Sequence, residues 1–120
     1  HNALKVLLKQ NASNLITATP SRKNPYFNMV EVLENEIKLV KSIQGSGAPQ
    51  SRQAAPTVFD MNASIYIWKR DSLFNNLPLI NRSTALYEMP EDRSIDIDTM
   101  LDWHIVEMLI TRSKKNQNNS

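Results

Sequence analysis

Cysteine is absent from the 120 residues, which excludes a disulfide framework and any thiolate metal site. Glycine occurs only twice, at Gly45 and Gly47, both in one loop. No glycine-rich phosphate loop of the Walker or dinucleotide-binding kind can be built from that supply. Long hydrophobic runs are missing, and the apolar stretches are far too short to cross a bilayer. A strong excess of one charge is missing too, since 14 basic residues face 12 acidic ones for a net charge of +2. Basic residues do not alternate with aromatics in a stripe, so neither a nucleic acid nor a membrane is expected as a partner. The glycosylation-type triplets at Asn11, Asn62, Asn81 and Asn118 are read as chance matches in an asparagine-rich chain. No signal peptide is visible, but the chain opens on His1 rather than on a start methionine, so an upstream segment is expected.

With 41% hydrophobic and 22% charged residues, the composition is that of a small soluble domain with one modest core. Residues 2–10 carry Leu4, Leu7 and Leu8 at helical spacing. Residues 15–19 form a short strand rich in β-branched residues, and Pro20 to Pro25 form a polar loop. Phe27 to Ser42 predicts a hairpin, with arms FNMVEVL and IKLVKS and a turn at Glu34-Asn35-Glu36. Such an arm suits pairing with a second chain, although an ordinary solvated hairpin has the same pattern. Gln44 to Arg52 is expected to be the most flexible stretch by composition.

Further along, Pro56 to Asp60 is expected to be extended, Ala63 to Trp68 a strong strand, and Arg70 to Phe74 one or two helical turns. Thr84 to Glu88 predicts another strand. Thr99 to Arg112 predicts a helix with a Thr99–Asp102 capping box and an apolar stripe of Leu101, Ile105, Met108 and Leu109. Residues 113–120 are expected to form a disordered polar tail. The five methionines are expected to fill the core. This order of elements fits part of a mixed α/β sheet rather than a closed domain.

The chemistry concentrates in Arg93 to Trp103, which predicts a short buried strand running straight into the helix. Side chains two apart on a strand share a face, so Asp96 and Asp98 would point one way and Ile95 and Ile97 the other. Two carboxylates at a strand's carboxyl end form a hard oxygen site suited to Mg²⁺ held between protein and phosphates. The alternative is that Asp98 caps the helix and Asp96 is a solvated strand end. Arg52 offers a fork for a carboxylate or phosphate, with Gln53 beside it. Asn62 and Tyr66 flank the strong strand, and Tyr66 is expected in the core or at an interface. Ser94 has no histidine near it in sequence, and His104 has no partner at ligand spacing, so neither predicts a catalytic role.

Three segments together resemble the acylneuraminate cytidylyltransferases: LITATPSRKNPYFNMVE (15–31), RQAAPTVFDMNASIYIW (52–68) and LYEMPEDRSIDIDTMLDWHIVEMLI (86–110). Their order and spacing match the C-terminal half of that family across nearly all of residues 2–112. The resemblance implies a Rossmann-like nucleotide-diphospho-sugar transferase fold, a mixed sheet with flanking helices. It further implies a homodimeric, Mg²⁺-dependent, cytoplasmic enzyme joining CTP to a nine-carbon α-keto acid sugar, with release of pyrophosphate. Asp96 and Asp98 would be the catalytic metal-binding pair. Arg52, Gln53, Asn62 and Tyr66 would lie at the sugar site, and residues 27–60 would form the dimerisation arm. Activation of a pseudaminic- or legionaminic-type acid, or of the eight-carbon acid of lipopolysaccharide, is an alternative. A non-catalytic dimerisation module of the same fold is another. Leu79 and Ile80 stand where some members carry an aromatic pair, and Phe27 lies near a position where some carry lysine. The family's N-terminal CTP-binding half has no counterpart here, so the 120 residues alone are expected to be inactive.

Overall fold

The computed structural model describes residues 1–42 and 55–119. Its elements, in chain order, are α1 (Asn2–Lys9), β1 (Asn14–Pro20), β2 (Val30–Leu33), β3 (Glu36–Leu39), β4 (Phe59–Trp68), α2 (Arg70–Phe74), β5 (Thr84–Glu88), a 3₁₀ turn (Glu91–Arg93) and α3 (Met100–Asn118). They divide into two compact units, His1–Thr19 with Met61–Ser120, and Pro20–Asp60.

The larger unit is organised by β1. Residues 14–19 of this strand are all buried, and only Pro20 is exposed. In the three-stranded sheet β1 is central, in the order β4-β1-β5. Apolar and β-branched residues without a charge suit that doubly covered position. β1 and β5 run parallel, Leu15 facing Ala85 and Thr17 facing Tyr87. The Met89 N–H donates to the Ala18 carbonyl at 2.8 Å and extends this pairing. β4 runs antiparallel to β1: Lys69 donates to Ser13 at 2.9 Å, and Ile65 donates to the Thr17 hydroxyl at 3.1 Å. The sheet is therefore mixed, as expected.

α1 packs on this sheet through Ala3 and Leu7, which join Ala12, Leu15 and Ala85 in the core. Leu4 and Leu8, the other two leucines of the expected stripe, are exposed. The helix ends where Asn11 takes φ 50. Ala12 then donates to Leu7 at 3.1 Å and Asn11 to Leu8 at 3.2 Å, satisfying two carbonyls that the helix end would leave open.

The smaller unit contains the expected hairpin, β2 paired antiparallel with β3. Its turn is Glu34-Asn35 alone, with φ 50 and 66, while Glu36 already pairs with Leu33. Two successive positive φ values match the right-handed twist of the strands, which is why hairpin turns take this form. The loop ahead of the hairpin is tied by Asn24, whose side-chain oxygen accepts from the Tyr26 N–H at 2.9 Å. Lys41 donates to the Pro25 carbonyl at 2.9 Å, and its ammonium lies 5.9 Å from the centre of the Tyr26 ring.

Several expectations are corrected. Residues 94–98 do not form a strand. The Ser94 N–H turns back to Glu91 at 3.1 Å, and the Asp98 N–H turns forward to the Asp102 carboxylate at 3.1 Å. Local bonds at both ends thus use the donors a sheet ladder would need. α3 continues to Asn118, so residues 113–118 are helical rather than a disordered tail. Ser113-Lys-Lys-Asn-Gln contains no glycine or proline to stop the helix, and Lys115 in its last turn complements the dipole. α3 buries none of its residues completely. Of the predicted stripe, Ile105 and Leu109 are half-buried, while Leu101 and Met108 are exposed. The methionines do not form the core: Met29, Met61, Met100 and Met108 are exposed, and Met89 is half-buried. Tyr66 is also exposed rather than a core residue. None of the described helices is long and apolar enough to cross a membrane.

Candidate functional site

Asn62 on β4 is a buried polar group of the larger unit, 7% exposed. Its side-chain oxygen accepts from the Thr17 hydroxyl at 2.7 Å and from the Ser64 N–H at 3.2 Å. Its NH₂ group donates to the Ser94 hydroxyl at 2.9 Å and meets the Met89 sulfur at 3.4 Å. A backbone N–H can only donate, so the Ser64 contact fixes which end of the amide is oxygen. The strand is shaped for this arrangement. Ala63 takes φ 50 inside β4, a left-handed conformation that an L-residue adopts at a cost of roughly 1–2 kcal/mol. The hydrogen bonds made by Asn62 and Ser64 on either side offset it.

Ser94 leads directly into the acidic segment. Its hydroxyl accepts from Asn62 and donates to the Pro90 carbonyl at 2.9 Å, so the 3₁₀ turn is tied to β4. Asp96 and Asp98 follow, both exposed. Their expected shared face rested on a strand, and that basis is removed by the irregular backbone.

The capping alternative for Asp98 is decided by the helix start. Thr99 is the N-cap of α3, its hydroxyl accepting from the Asp102 N–H at 3.2 Å. The Asp102 carboxylate accepts from the Thr99 N–H at 2.9 Å and from the Asp98 N–H at 3.1 Å. The Thr99 hydroxyl lies 2.8 Å from the same carboxylate. Hydrogen bonds from the Thr99 side chain, then from the Asp98 and Thr99 N–H groups, hold Asp102 below the ordinary aspartate range. Asp102 thus performs the electrostatic part of capping, and Asp98 contributes its backbone but not its carboxylate. Neither Asp96 nor Asp98 shares a carboxylate hydrogen bond or ion pair with another of the described residues.

Among the described residues no three His, Asp or Glu side chains converge on a point that could hold a metal ion. Two exposed carboxylates fit a different mode, in which Mg²⁺ keeps several waters and is shared between one or two carboxylates and substrate phosphates. The donor set thus fits the expected cation.

A second polar cluster pins the loop before β5. Asn14, buried at the start of β1, donates to the Leu79 carbonyl at 2.7 Å and accepts from the Thr84 hydroxyl at 2.9 Å. Ser13 donates to the Asn81 side chain at 3.1 Å. Leu79 and Ile80 are held by β1 in this way. Of the predicted site residues, Asn62 is tied to the acidic segment through Ser94, and Tyr66 lies further along β4. Arg52 and Gln53 lie outside the described residues, as does the loop from Gln44. Thr17 and Asn14 escaped the sequence reading, because a polar residue in a β-branched run carries no local sign of its partners.

No protein-family profile matches the chain. Curated proteins do match. The chain is 52% identical over 97 residues to the CMP-N,N'-diacetyllegionaminic acid synthase of Campylobacter jejuni, covering 81% of this chain and 40% of that protein. It is 45% identical over 108 residues to the post-translational flagellin modification protein B of Campylobacter coli, covering 90% of this chain and 44% of that protein. It is 30% identical over 113 residues to the N-acylneuraminate cytidylyltransferase B of Danio rerio, covering 93% and 26% respectively. The chain thus spans less than half the length of each of these relatives.

Proposed function

On the premise that this chain belongs to the cytidylyltransferase family through the segment it shares with these relatives, we propose that it is the acidic-site portion of an enzyme that activates a nonulosonic acid. The reaction is transfer of CMP from CTP to the anomeric hydroxyl of a nine-carbon α-keto acid sugar. The hydroxyl oxygen forms the new bond to the α-phosphorus, the bond to the bridging oxygen breaks, pyrophosphate leaves, and the hydroxyl proton is lost. The name of the 52%-identical relative favours a legionaminic-type acid among such sugars.

The observation carrying this reading is the division of labour at the start of α3. Thr99 and Asp102 cap the helix, and among the described residues no hydrogen bond or ion pair engages the carboxylates of Asp98 and Asp96. Two exposed carboxylates two residues apart suit a divalent cation shared with substrate phosphates. Asp96 and Asp98 would hold Mg²⁺. When bound, it would draw negative charge from the phosphate at which substitution takes place. Arg52 is assigned to the sugar carboxylate, with Gln53 beside it, and the exposed Tyr66 to the sugar. Asn62 is assigned near the sugar, its amide being engaged by Thr17 and Ser64 on one side and Ser94 on the other.

Homodimerisation is proposed through the hairpin. The register Val30↔Leu39 and Val32↔Ile37 gathers four apolar side chains on one face. Val30 is 60%, Val32 67% and Ile37 72% exposed. An isolated two-stranded sheet is marginal in water, and an apolar face of this kind is stabilised by a partner.

Pyrophosphate release tests the reaction. The chain, joined to the upstream sequence proposed to supply the CTP site, is given CTP, Mg²⁺ and a panel of nine-carbon acids. Release with one acid that is lost in Asp96→Asn supports the assignment. A folded dimer whose turnover is unchanged by Asp96→Asn would overturn the catalytic role.

A further inference from the structure

We propose that the Asn62–Ser94 hydrogen bond is a positioning tether that fixes where the Asp96–Asp98 segment leaves the sheet. The proposal rests on the metal-binding reading of those two aspartates and adds the residues that place them. With no ladder holding residues 94–98, their position is set at two ends. The C-terminal end is the Thr99–Asp102 cap, which fixes the segment to α3. At the N-terminal end the long-range fixture is the 2.9 Å bond from the Asn62 NH₂ group to Ser94. That bond reaches a rigid anchor, since Asn62 is buried and its oxygen is already held by Thr17 of the central strand at 2.7 Å. Ser94 passes the constraint to Pro90 at 2.9 Å, so the whole 3₁₀ turn moves with it.

The chain of contacts therefore runs from β1 through Thr17, Asn62 and Ser94 to a point two residues before Asp96. Met89 adds a second attachment of the same NH₂ group, through its sulfur at 3.4 Å. A cation shared with phosphates tolerates little displacement of its ligands, because Mg²⁺ demands near-octahedral geometry. Supporting hydrogen bonds of this sort orient ligand carboxylates in metal sites generally. Asn62 and Ser94 touch neither the cation nor the reacting atoms, so they are positioning residues and not catalytic ones.

The experiment uses Ser94→Ala and Ser94→Thr in the chain joined to the CTP-binding portion proposed above, because Asn62 variants disturb the core. Backbone hydrogen exchange at positions 93 and 94, whose N–H groups donate to Pro90 and Glu91 at 3.1 Å within the tethered turn, reads the tether. Binding of Mn²⁺ in the presence of CTP, followed by electron paramagnetic resonance, reads the placement of the carboxylates. Ser94→Ala is expected to speed exchange at positions 93 and 94 and to weaken Mn²⁺ binding about fivefold, the scale of one lost neutral hydrogen bond. Ser94→Thr, which keeps the hydroxyl, is expected to restore both. Faster exchange with unchanged Mn²⁺ affinity, or no change in either, overturns the tether. Asp96→Asn measured in parallel keeps the two ideas apart: if it leaves Mn²⁺ binding intact, the metal reading itself has failed.

Discussion

Thr99 and Asp102 each satisfy the other's backbone: the Asp102 N–H donates to the Thr99 hydroxyl at 3.2 Å, and the Thr99 N–H donates to the Asp102 carboxylate at 2.9 Å. The exchange is stronger when Asp102 is ionised, and its hydrogen bonds hold its pKa below the ordinary aspartate value. A depressed folded pKa adds stability that is present above the unfolded value and disappears as pH falls through the folded one. The start of α3 is therefore expected to fray only below the usual carboxylate range. Amide exchange at Met100 to Trp103, followed down the pH scale, checks this. Asp102→Asn should show fraying already at neutral pH and little further change on acidification.

Replacing Asp98 has a different expected outcome. Asp98→Asn keeps the N–H that serves Asp102 and removes only a carboxylate that does not cap. Helix content by circular dichroism should stay the same while Mn²⁺ binding falls at least tenfold. A loss of helicity would return Asp98 to the capping role.

Thr17→Val removes the donor to Asn62 and the acceptor for Ile65 together, without a change of shape. Leaving buried amide groups unsatisfied costs about 1–3 kcal/mol, so the urea midpoint should fall accordingly. Thr17→Ser keeps the hydroxyl and should lose much less. A wild-type midpoint for Thr17→Val would remove the network from the list of stabilising features.

Ile37→Lys places a charge in the middle of the apolar hairpin face opposite Val32. If that face joins two chains, light scattering should show a monomer whose Thr99–Asp102 cap is intact by amide exchange. A dimer of undiminished affinity would require another interface.

Asn35→Gly should stabilise the hairpin by up to about 1 kcal/mol, because φ 66 at this position favours a residue without a Cβ. Slower exchange of the Glu31 and Lys38 amides, a hydrogen-bonded pair of the ladder, would register the gain. Faster exchange would mean that the unfolded-state entropy of glycine outweighs the relief.

The features legible in the sequence were those written locally. The hairpin, β5, α2 and the Thr99–Asp102 box depend on residues a few positions apart, and each was found close to where it was expected. The acidic strand was misread because Ile95 and Ile97 alternate with Asp96 and Asp98, as they would in a strand. Alternation cannot show that the flanking N–H groups are taken by Glu91 and Asp102. The end of α3 was misread because polarity was taken for disorder, although Lys114, Lys115 and Gln117 are good helix formers. The site's support was illegible for a different reason. Thr17, Asn62 and Ser94 are separated by tens of residues, and only the folded sheet brings their side chains within 2.9 Å of one another in sequence along the network.

The buried amide at position 62 also limits which residues can occupy it. Leucine would fill the space and leave Thr17, Ser64 and Ser94 without their partner. Aspartate would satisfy Thr17 and Ser64 but present a second acceptor where Ser94 needs a donor, and would bury a charge. Glutamine carries the right groups on a longer stem and would push them past both neighbours. Histidine cannot accept two hydrogen bonds on one side and donate on the other at the same spacing. Any substitution that succeeds there must be accompanied by changes at 17 or 94, so these three positions form one unit of variation, to be altered together or left alone.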